Sequence, residues 1–346
     1  MPYLTAPESL ADLLPGEPPF RARQLRSWLY DTPVLHAEEM TNLPAAVRTA
    51  LADRLWPFRV EAEQSGDGGR TRKWLFRTPD GAAVEAVLMG YRDRTTLCIS
   101  SQAGCAMGCT FCATGQFGFE RHLEPGEIVA QVAYAAASLR AAPMAEAPQR
   151  VSNVVYMGMG EPLANYDGVR ESLRRIIEVM GVSARSVTVS TVGVAPAIRR
   201  LAEEPWQVGL ALSLHAADDD LRERLVPLNR RYPIDDLIDA ADAFRRAKGR
   251  RVSLEWTLIA GVNDTPDQAR ALAAIARELE AHVNVIALNP TPLSDDRPPT
   301  ARQAEAFVAA VRAGGANVTL RDTRGRDIDA ACGQLRVRAA ENGGAR

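Results

Sequence analysis

The sequence predicts an α/β fold, an incomplete parallel (β/α) barrel with a small helical and β accessory domain at its N-terminus. Two observations support this prediction. Apolar, strand-like runs alternate with helical stretches from residue 95 onwards, and polar residues directly follow several of these runs. A length of 346 residues also suits one barrel with additions.

Residues 1–57 are predicted to form a helical accessory domain. The stretches 20–30 and 43–55 both have apolar side chains at helical spacing, and turn-forming residues lie between them. The apolar face of the second stretch consists of Leu43, Val47, Leu51 and Leu55. We therefore expect two short helices here.

Residues 58–94 are predicted to form an antiparallel β extension. The hydrophobic period changes to two, and turn-forming residues punctuate it at 65–69 and 79–81. Strands are expected at 72–78 and 83–89, and they lead towards a cysteine-rich loop.

Residues 95–322 are predicted to form the barrel, followed by a C-terminal segment, 323–346, that carries Cys332. The predicted strands are 95–100, 152–157, 186–191, 207–215, 252–259, 283–288 and 317–322. The predicted helices are 126–139, 234–248, 266–279 and 301–313. In such a barrel, the loops after the carboxyl ends of the strands build the active site.

Composition indicates a globular protein of the reduced cytosol. The chain has a net charge of −2, with 46% hydrophobic and 24% charged residues, and no apolar run long enough to cross a membrane. Five cysteines without a signal peptide are typical of a cytoplasmic protein, not of a secreted disulfide framework. We expect a cytoplasmic monomer.

Basic residues are clustered despite the balanced total charge. Such clusters contact RNA phosphates or form a solvated surface, and the sequence leaves both interpretations open. The clusters are Arg21, Arg23 and Arg26; Arg70, Arg72 and Lys73; and Arg321, Arg324, Arg326, Arg336 and Arg338.

The most informative motif is the loop Cys105-x3-Cys109-x2-Cys112. Three thiolates of one tight loop hold three irons of a [4Fe-4S] cluster and leave the fourth open, whereas an electron-transfer cluster takes four cysteines. An open iron chelates the amino and carboxylate groups of S-adenosylmethionine, and an electron from the cluster then yields methionine and a 5′-deoxyadenosyl radical. The spacing therefore predicts radical chemistry.

A zinc site is the alternative use of these cysteines. Cys98 lies seven residues before Cys105, so four cysteines are close in sequence. Structural zinc usually takes two Cys-x2-Cys pairs, however, and the chain contains one. A zinc-stabilised RNA-binding protein without catalysis would follow from this alternative.

Residues at the predicted strand ends suit the binding of S-adenosylmethionine. Glu161 and nearby carbonyls suit its cationic amino group, and the glycines beside Glu161 let backbone approach a ligand closely. Ser190 and Asn289 suit the methionyl or ribose part, with strand-end packing as the alternative, and His215 is more often a structural histidine. The predicted cofactor-binding residues are Gly160, Glu161, Ser190, Ser213, Leu214, His215 and Asn289.

These motifs together resemble one family. The cysteine loop, the MGMGEP turn, the strand ends SLH and NP, the segment FRARQLRSWLY and the C-terminal TRGRDIDAACGQL resemble the radical S-adenosylmethionine RNA methyltransferases that methylate adenine C2 in 23S ribosomal RNA and in some transfer RNAs. The resemblance covers nearly the whole chain. A sister group that methylates adenine C8 shares most of it, so C8 methylation is an alternative.

The resemblance implies the cofactors and partners. It implies a radical SAM type of partial barrel, a [4Fe-4S] cluster held by Cys105, Cys109 and Cys112, and S-adenosylmethionine as the second cofactor. It also implies 23S ribosomal RNA and transfer RNA as substrates and an external electron donor of the flavodoxin type.

Three catalytic residues also follow from the resemblance. Cys332 takes a methyl group from the cofactor, and a methylene radical made from it adds to the base, which suits an electron-poor carbon such as adenine C2. Cys98 then attacks the Cys332 sulfur, releasing the product and leaving a Cys98–Cys332 disulfide. Glu85 accepts the C2 proton; without the resemblance, Glu85 would be expected to be an exposed strand carboxylate.

Overall fold

The computed structural model describes residues 1–291, 293–322 and 324–335. The strands of these residues, in chain order, are β1 (Arg59–Gly66), β2 (Thr71–Arg77), β3 (Ala83–Gly90), β4 (Thr95–Cys98), β5 (Gln102–Gly104), β6 (Phe119–His122), β7 (Asn153–Tyr156), β8 (Val187–Thr191), β9 (Gly209–Ser213), β10 (Ser253–Leu258), β11 (His282–Ala287) and β12 (Asn317–Leu320).

Ten of these strands form one sheet, in the order β1-β2-β3-β4-β7-β8-β9-β10-β11-β12. Strands β1 to β4 pair antiparallel, whereas β4 and the strands that follow it in the sheet pair in parallel. Within the described part of the chain, β1 and β12 are the two edges, so the sheet does not close into a ring. The predicted incomplete parallel barrel is confirmed, and its antiparallel extension continues the same sheet.

At least one helix lies between each pair of consecutive parallel strands. The described α-helices are α1 (Pro19–Arg26), α2 (Ala45–Ala52), α3 (Ala113–Gln116), α4 (Pro125–Ala141), α5 (Tyr166–Arg174), α6 (Ala195–Glu203), α7 (Asp219–Leu225), α8 (Ile234–Lys248), α9 (Pro266–Glu278) and α10 (Ala301–Ala313). Helices α5, α6 and α7, which have nine residues or fewer, were not among the predicted helices.

Local signals explain why two helices have the predicted bounds. Helix α8 ends at Gly249, whose φ of 57° lies in the left-handed region that glycine adopts without strain. Helix α10 begins after Thr300, and the side chains of Thr300 and Gln303 form a capping box with the first backbone N–H groups.

The N-terminal segment packs on the barrel through an aromatic cluster. The ring of Trp56 stacks on Tyr3 at a centroid distance of 5.0 Å and meets Tyr134 of α4 edge-on at 5.2 Å. Phe58 extends the cluster to Phe76 of β2, at 4.1 Å. These rings join the segment before β1 to the β extension and to α4 in one hydrophobic core.

No helix in the described ranges is both long and apolar enough to span a bilayer. The division of the chain at residues 57, 94 and 322 stays a prediction. Half of the predicted C-terminal segment, including Arg336 and Arg338, lies outside the described residues.

Candidate active site

The carboxyl ends of the parallel strands surround a cavity of about 1060 Å³, here called the carboxyl-end cavity. Three of its lining residues lie at strand ends: Ser190 is the next-to-last residue of β8, Ser213 is the last residue of β9, and Asn289 follows β11. The cysteine loop 105–112 contributes all three of its thiols to the same cavity. The barrel therefore brings the predicted cluster ligands and the predicted cofactor contacts to one place.

A hairpin that the sequence did not reveal holds the cysteine loop. Strands β5 and β6 are only three and four residues long, and they pair antiparallel on either side of the loop. Gly104 precedes the first cysteine with a φ of 73°, and a Cβ there would collide with the carbonyl of Gly118. The backbone N–H of Cys105 donates to that carbonyl at 2.8 Å, which closes the base of the loop.

Two thiols of this loop, those of Cys105 and Cys109, are buried enough to resist ionisation by themselves. Burial raises the pKa of Cys105 to about 12 and the pKa of Cys109 well above its ordinary value. Thiolates form at such a site when a bound cation offsets the desolvation. The donor set, three free thiols facing one cavity, fits iron ligation.

The glycine-rich turn after β7 places Glu161 in the same cavity. Gly160 has a φ of 97°, and a Cβ there would lie 2.5 Å from the Gln102 side chain, so only glycine fits. The Glu161 carboxylate accepts the backbone N–H groups of Leu163 at 2.9 Å and Val192 at 2.8 Å. Burial nevertheless raises its pKa to about 7, so a cationic amino group beside it would favour the ionised carboxylate.

His215 is held mainly by structural contacts, although it lines the cavity. Its Nδ1 accepts the backbone N–H of Thr257 at 2.9 Å, and its ring lies edge-on to Phe111 at 4.6 Å. Burial, with a smaller effect from Arg222, lowers its pKa to about 3, so the imidazole is neutral at physiological pH. Leu214, the residue before it, is fully buried and does not line the cavity.

Residues 324–335, here called the C-terminal strap, cross the cysteine loop. The backbone N–H of Ala113 donates to the carbonyl of Gly333 at 2.8 Å, and the Thr114 hydroxyl donates to the carbonyl of Leu335 at 2.6 Å. The amide of Asn289 donates to the carbonyl of Cys332 at 3.0 Å. These bonds hold Cys332 in the wall of the carboxyl-end cavity.

A second cavity, of about 950 Å³, is here called the second cavity. Its lining includes residues at the amino ends of strands, such as Thr96 and Asn153, and residues at or beyond the carboxyl ends, such as Met157 and Arg321. Cys98 lines this cavity and not the carboxyl-end one, whereas Cys332 lines both. Cys98 is 7% exposed. Burial raises the pKa of its thiol, and Cys332 raises the same pKa by a smaller amount. Cys332 is accessible, but the surrounding protein still desolvates its sulfur and raises its pKa.

Glu85 is buried, with 4% of its surface exposed, so the expectation of an exposed strand carboxylate is wrong. Its Oε1 lies 3.3 Å from the Nζ of Lys73 on the neighbouring strand β2. Burial raises the pKa of Glu85 to about 7, and the Lys73 ammonium opposes this rise. Glu85 lines neither cavity, but it shares a sheet face with Cys98, since Val87 is the direct register partner of Cys98.

The β1–β2 turn fastens the C-terminal strap. The Asp67 carboxylate accepts the backbone N–H of Gly325 at 2.9 Å, and the Asp67 N–H donates to the Asp327 carboxylate at 3.0 Å. The Lys73 ammonium donates to the carbonyl of Asp329 at 3.2 Å. The β extension thus positions the strap that carries Cys332.

Comparison with known proteins identifies the family. The Radical SAM superfamily matches residues 99–273, and the ribosomal RNA large subunit methyltransferase N-terminal domain matches residues 10–56. The probable dual-specificity RNA methyltransferase RlmN of Mycobacterium marinum is 53% identical over 338 residues, covering 95% of this chain and 91% of its own. The corresponding protein of Salinispora tropica is 51% identical, covering 92% and 88%.

A solved structure agrees with these sequence matches. A radical SAM methyltransferase from Sphaerobacter thermophilus superimposes with a TM-score of 0.90 and 48% identity, covering 96% of this chain and 98% of its own. The chain belongs to the RlmN family of radical S-adenosylmethionine RNA methyltransferases. A [4Fe-4S] cluster and S-adenosylmethionine are the cofactors of that superfamily.

The zinc alternative does not agree with the geometry of this RlmN family member. It needs Cys98 beside Cys105, Cys109 and Cys112, but Cys98 lines the other cavity. Nowhere in the described ranges do three or more His, Cys, Asp and Glu side chains gather closely enough to hold one metal ion. In a cubane cluster each cysteine binds a different iron, so the cysteine sulfurs lie farther apart than they would around a single metal ion.

Sequence reasoning missed two charged residues of the carboxyl-end cavity. Glu255, on β10, is buried, accepts the Asn284 amide at 2.8 Å, and lies 3.5 Å from the guanidinium of Arg321. Burial raises the pKa of Glu255. The sequence did contain a sign of Glu255, because a carboxylate within the otherwise largely apolar predicted strand 252–259 indicates a residue with a specific role. Arg321, which was assigned only to a basic cluster, lines both cavities.

The basic clusters differ in their surroundings. In the second cluster, Lys73 is buried, Arg72 is half-buried and donates to the carbonyl of Ala142 after α4, and Arg70 is exposed, so that cluster is partly internal. In the N-terminal cluster, Arg21 pairs with Glu17 at 3.7 Å, whereas Arg23 is exposed on α1. The N-terminal cluster is therefore the better candidate for an RNA contact.

Proposed function

We propose that this protein methylates C2 of adenine in 23S ribosomal RNA and in transfer RNA, with Cys332 as the methyl carrier and Cys98 as the thiol that releases the product. The position of Cys332 is the observation that supports the proposal. It lines the cavity of the three-cysteine loop and also the cavity of Cys98. One sulfur can therefore face the radical chemistry on one side and a resolving thiol on the other.

The cofactors supply a methyl group and a 5′-deoxyadenosyl radical when they are bound. Cys105, Cys109 and Cys112 would hold the cluster, and Glu161 would meet the amino group of S-adenosylmethionine. The Cys332 sulfur carries the methyl group, and removal of one hydrogen atom from that methyl leaves a carbon radical that adds to adenine C2.

Release of the product follows from thiol chemistry. One electron would return from the adduct to the oxidised cluster, and the C2 proton would pass to Glu85. The aromatic ring is then restored while the base is still bound to the Cys332 sulfur through a methylene group. The Cys98 thiolate attacks that sulfur, the sulfur–carbon bond breaks, and the carbon takes up a proton to become the methyl group. A Cys98–Cys332 disulfide remains.

Glu85 is the proposed acceptor of the C2 proton. Its pKa of about 7 suits a base that works near neutral pH, and Lys73 stabilises its ionised form. The Glu85 side chain shares a sheet face with Cys98, the proposed resolving thiol, and this placement supports the role.

The names of the relatives support the proposed RNA substrates, since the two RlmN proteins are described as dual-specificity RNA methyltransferases. The flavodoxin-type electron donor, the monomeric state and the cytoplasmic location stay predictions.

Isotope labelling tests the site of methylation. Anaerobically reduced holoenzyme is incubated with a 23S ribosomal RNA fragment or a transfer RNA whose target adenine carries deuterium at C2 or at C8, and nucleosides are analysed by mass spectrometry. We expect methyladenosine that has lost the C2 label and kept the C8 label. Loss of the C8 label would identify a C8 methyltransferase, and Cys332→Ala provides the inactive control.

A further inference from the structure

A fully buried guanidinium lies behind the wall of the carboxyl-end cavity. It belongs to Arg222 on α7, which is 0% exposed. Arg222 donates to four neutral acceptors, which are the backbone carbonyls of Val192 at 2.6 Å, Leu214 at 3.0 Å and Ser213 at 3.2 Å, and the amide oxygen of Asn229 at 2.8 Å. Val192 and Ser213 line the cavity. Arg222 therefore joins the loops after β8 and β9, and its charge lies beneath them.

No carboxylate of the described residues accepts a hydrogen bond from this guanidinium. Arg175, another buried arginine, has the usual arrangement, since its Nε lies 2.7 Å from a carboxylate oxygen of Glu171. Asp219 is exposed and is linked to Arg222 through the Asn229 amide, which donates to Asp219 at 2.8 Å. Burial lowers the pKa of Arg222 to about 10, so the guanidinium stays charged at neutral pH. A buried cation without a paired anion is costly, which indicates that an anion binds nearby when the site is complete.

Helix α7 packs against the cysteine loop. The backbone N–H of Thr110 donates to the carbonyl of Leu225, the last residue of α7, at 3.1 Å. Side chains of the loop and of the helix form a small hydrophobic cluster, separate from the main core, that includes Cys109, Phe111, Leu221, Leu225 and Val226. Burial raises the pKa of Cys109, and the Arg222 guanidinium opposes this rise. The unpaired cation is therefore within electrostatic reach of the proposed cluster ligands, and the side chains between them are buried.

We propose that the fixed positive charge of Arg222 stabilises the reduced form of the [4Fe-4S] cluster held by Cys105, Cys109 and Cys112. The inference rests on the proposed function for the place of the cluster, but not for the carbon that is methylated. A cluster with three thiolate ligands is already anionic when oxidised, and one electron from the external donor of the flavodoxin type makes it more negative. A fixed cation nearby stabilises the more negative state and so raises the reduction potential.

Arg222 also has a structural role. The carbonyl of Val192 accepts from Arg222, while the N–H of the same residue donates to the Glu161 carboxylate at 2.8 Å. Loss of the guanidinium can therefore displace Glu161, the proposed contact of the S-adenosylmethionine amino group. The reduction potential of the cluster without S-adenosylmethionine does not depend on that contact, so it separates the charge of Arg222 from its structural role.

The test is a spectroelectrochemical titration of the anaerobic, cluster-loaded protein without S-adenosylmethionine or RNA. Arg222→Gln should lower the equilibrium constant for cluster reduction about tenfold, or about 59 mV for one electron, the order expected for unit charges about 10 Å apart in a protein. Arg222→Lys keeps the charge and should keep a potential close to the wild-type value. Arg175→Gln removes a buried arginine that does not line the cavity, and it should leave the potential unchanged.

A second variant tests the charge without removing Arg222. The double exchange Asp219→Asn, Asn229→Asp keeps the net charge of the chain and places a carboxylate where the Asn229 amide oxygen accepts from the guanidinium. The potential should fall in this variant too, and this holds even if Arg222→Gln fails to retain its iron. An unchanged potential in the double exchange would overturn the proposal, as would equal shifts in Arg222→Lys and Arg222→Gln, which would indicate packing and not charge. Wild-type protein that binds no iron would overturn the proposed function instead.

Discussion

The Nζ of Lys73 lies 3.3 Å from the Oε1 of Glu85, and both side chains are buried. The same ammonium donates to the carbonyl of Asp329 in the C-terminal strap. One cation therefore joins the proposed proton acceptor to the strap that carries the proposed methyl carrier, so its replacement should affect both.

The activity should rise with pH through the pKa of Glu85. Burial raises this pKa to about 7, and a base acts in its ionised form, so single-turnover methylation should increase about tenfold between pH 6 and pH 8. Lys73 lowers this pKa, so Lys73→Met should move the midpoint upwards by about one unit, while Lys73→Arg keeps it near the wild-type value. The measurement is methyladenosine formed at each pH, and an unchanged midpoint in Lys73→Met would contradict the pairing.

Each cysteine of the loop should be required for the cluster. Cys105→Ala, Cys109→Ala or Cys112→Ala should reduce bound iron to background and stop formation of 5′-deoxyadenosine, since two thiolates do not hold a cubane securely. Iron analysis and absorbance of anaerobically purified protein measure the effect. Cys98→Ala is the matched control and should keep its iron, because Cys98 lines the other cavity.

Replacing Cys98 and replacing Cys332 should block the methylation reaction at different steps. Cys332→Ala should take no methyl group from the cofactor and give no modified RNA, because the carrier sulfur is absent. Cys98→Ala should take the methyl group, add it to the base, and accumulate a protein–RNA adduct, because the resolving thiol is absent. A denaturing gel shows this adduct as a nuclease-sensitive shift.

Two results would contradict these roles. Normal turnover of Cys98→Ala without an adduct would exclude Cys98 as the resolving thiol. An adduct in the double variant Cys98→Ala, Cys332→Ala would exclude Cys332 as the point of attachment.

Asp67 should control the position of the strap. Asp67→Ala removes the acceptor of the Gly325 N–H, a charge-assisted bond worth about 1.5–3 kcal/mol, so methyl loading of Cys332 should slow by about tenfold or more. Labelled S-adenosylmethionine measures the loading. Asp264→Ala, which removes a similar turn bond to Gly261 away from the strap, should load normally. Equal loading in both variants would show that the turn does not position the strap.

The N-terminal basic cluster should bind RNA phosphates. Replacing Arg21, Arg23 and Arg26 by Gln should weaken RNA binding and reduce the salt slope by about one unit for each phosphate that the cluster no longer neutralises. Cofactor cleavage without RNA should be unaffected. Arg199, an exposed arginine of α6, provides the control, and an unchanged affinity across the salt series would mark the cluster as a solvated surface.

Features that lie close together along the chain could be predicted from the sequence alone. The three cysteines of the loop are neighbours in sequence, and the alternation of strands and helices is a local pattern, so the cluster ligands and the parallel barrel were both predicted. The bounds of α8 and α10 depend on caps within a few residues of their ends, which is why the sequence also indicated them.

The folded chain alone determines which distant residues share a cavity or a pair. The strand pattern did not show that Glu85 is buried, but all but one of the residues of β3 are buried, so its carboxylate lies inside the protein beside Lys73. The separation of Cys98 from the cysteine loop, the place of Cys332 between two cavities, and the fastening of the strap by Asp67 depend on strand register and on the path of the strap. Contacts between residues so far apart in sequence are set by the packing of the whole chain, and no local pattern records them.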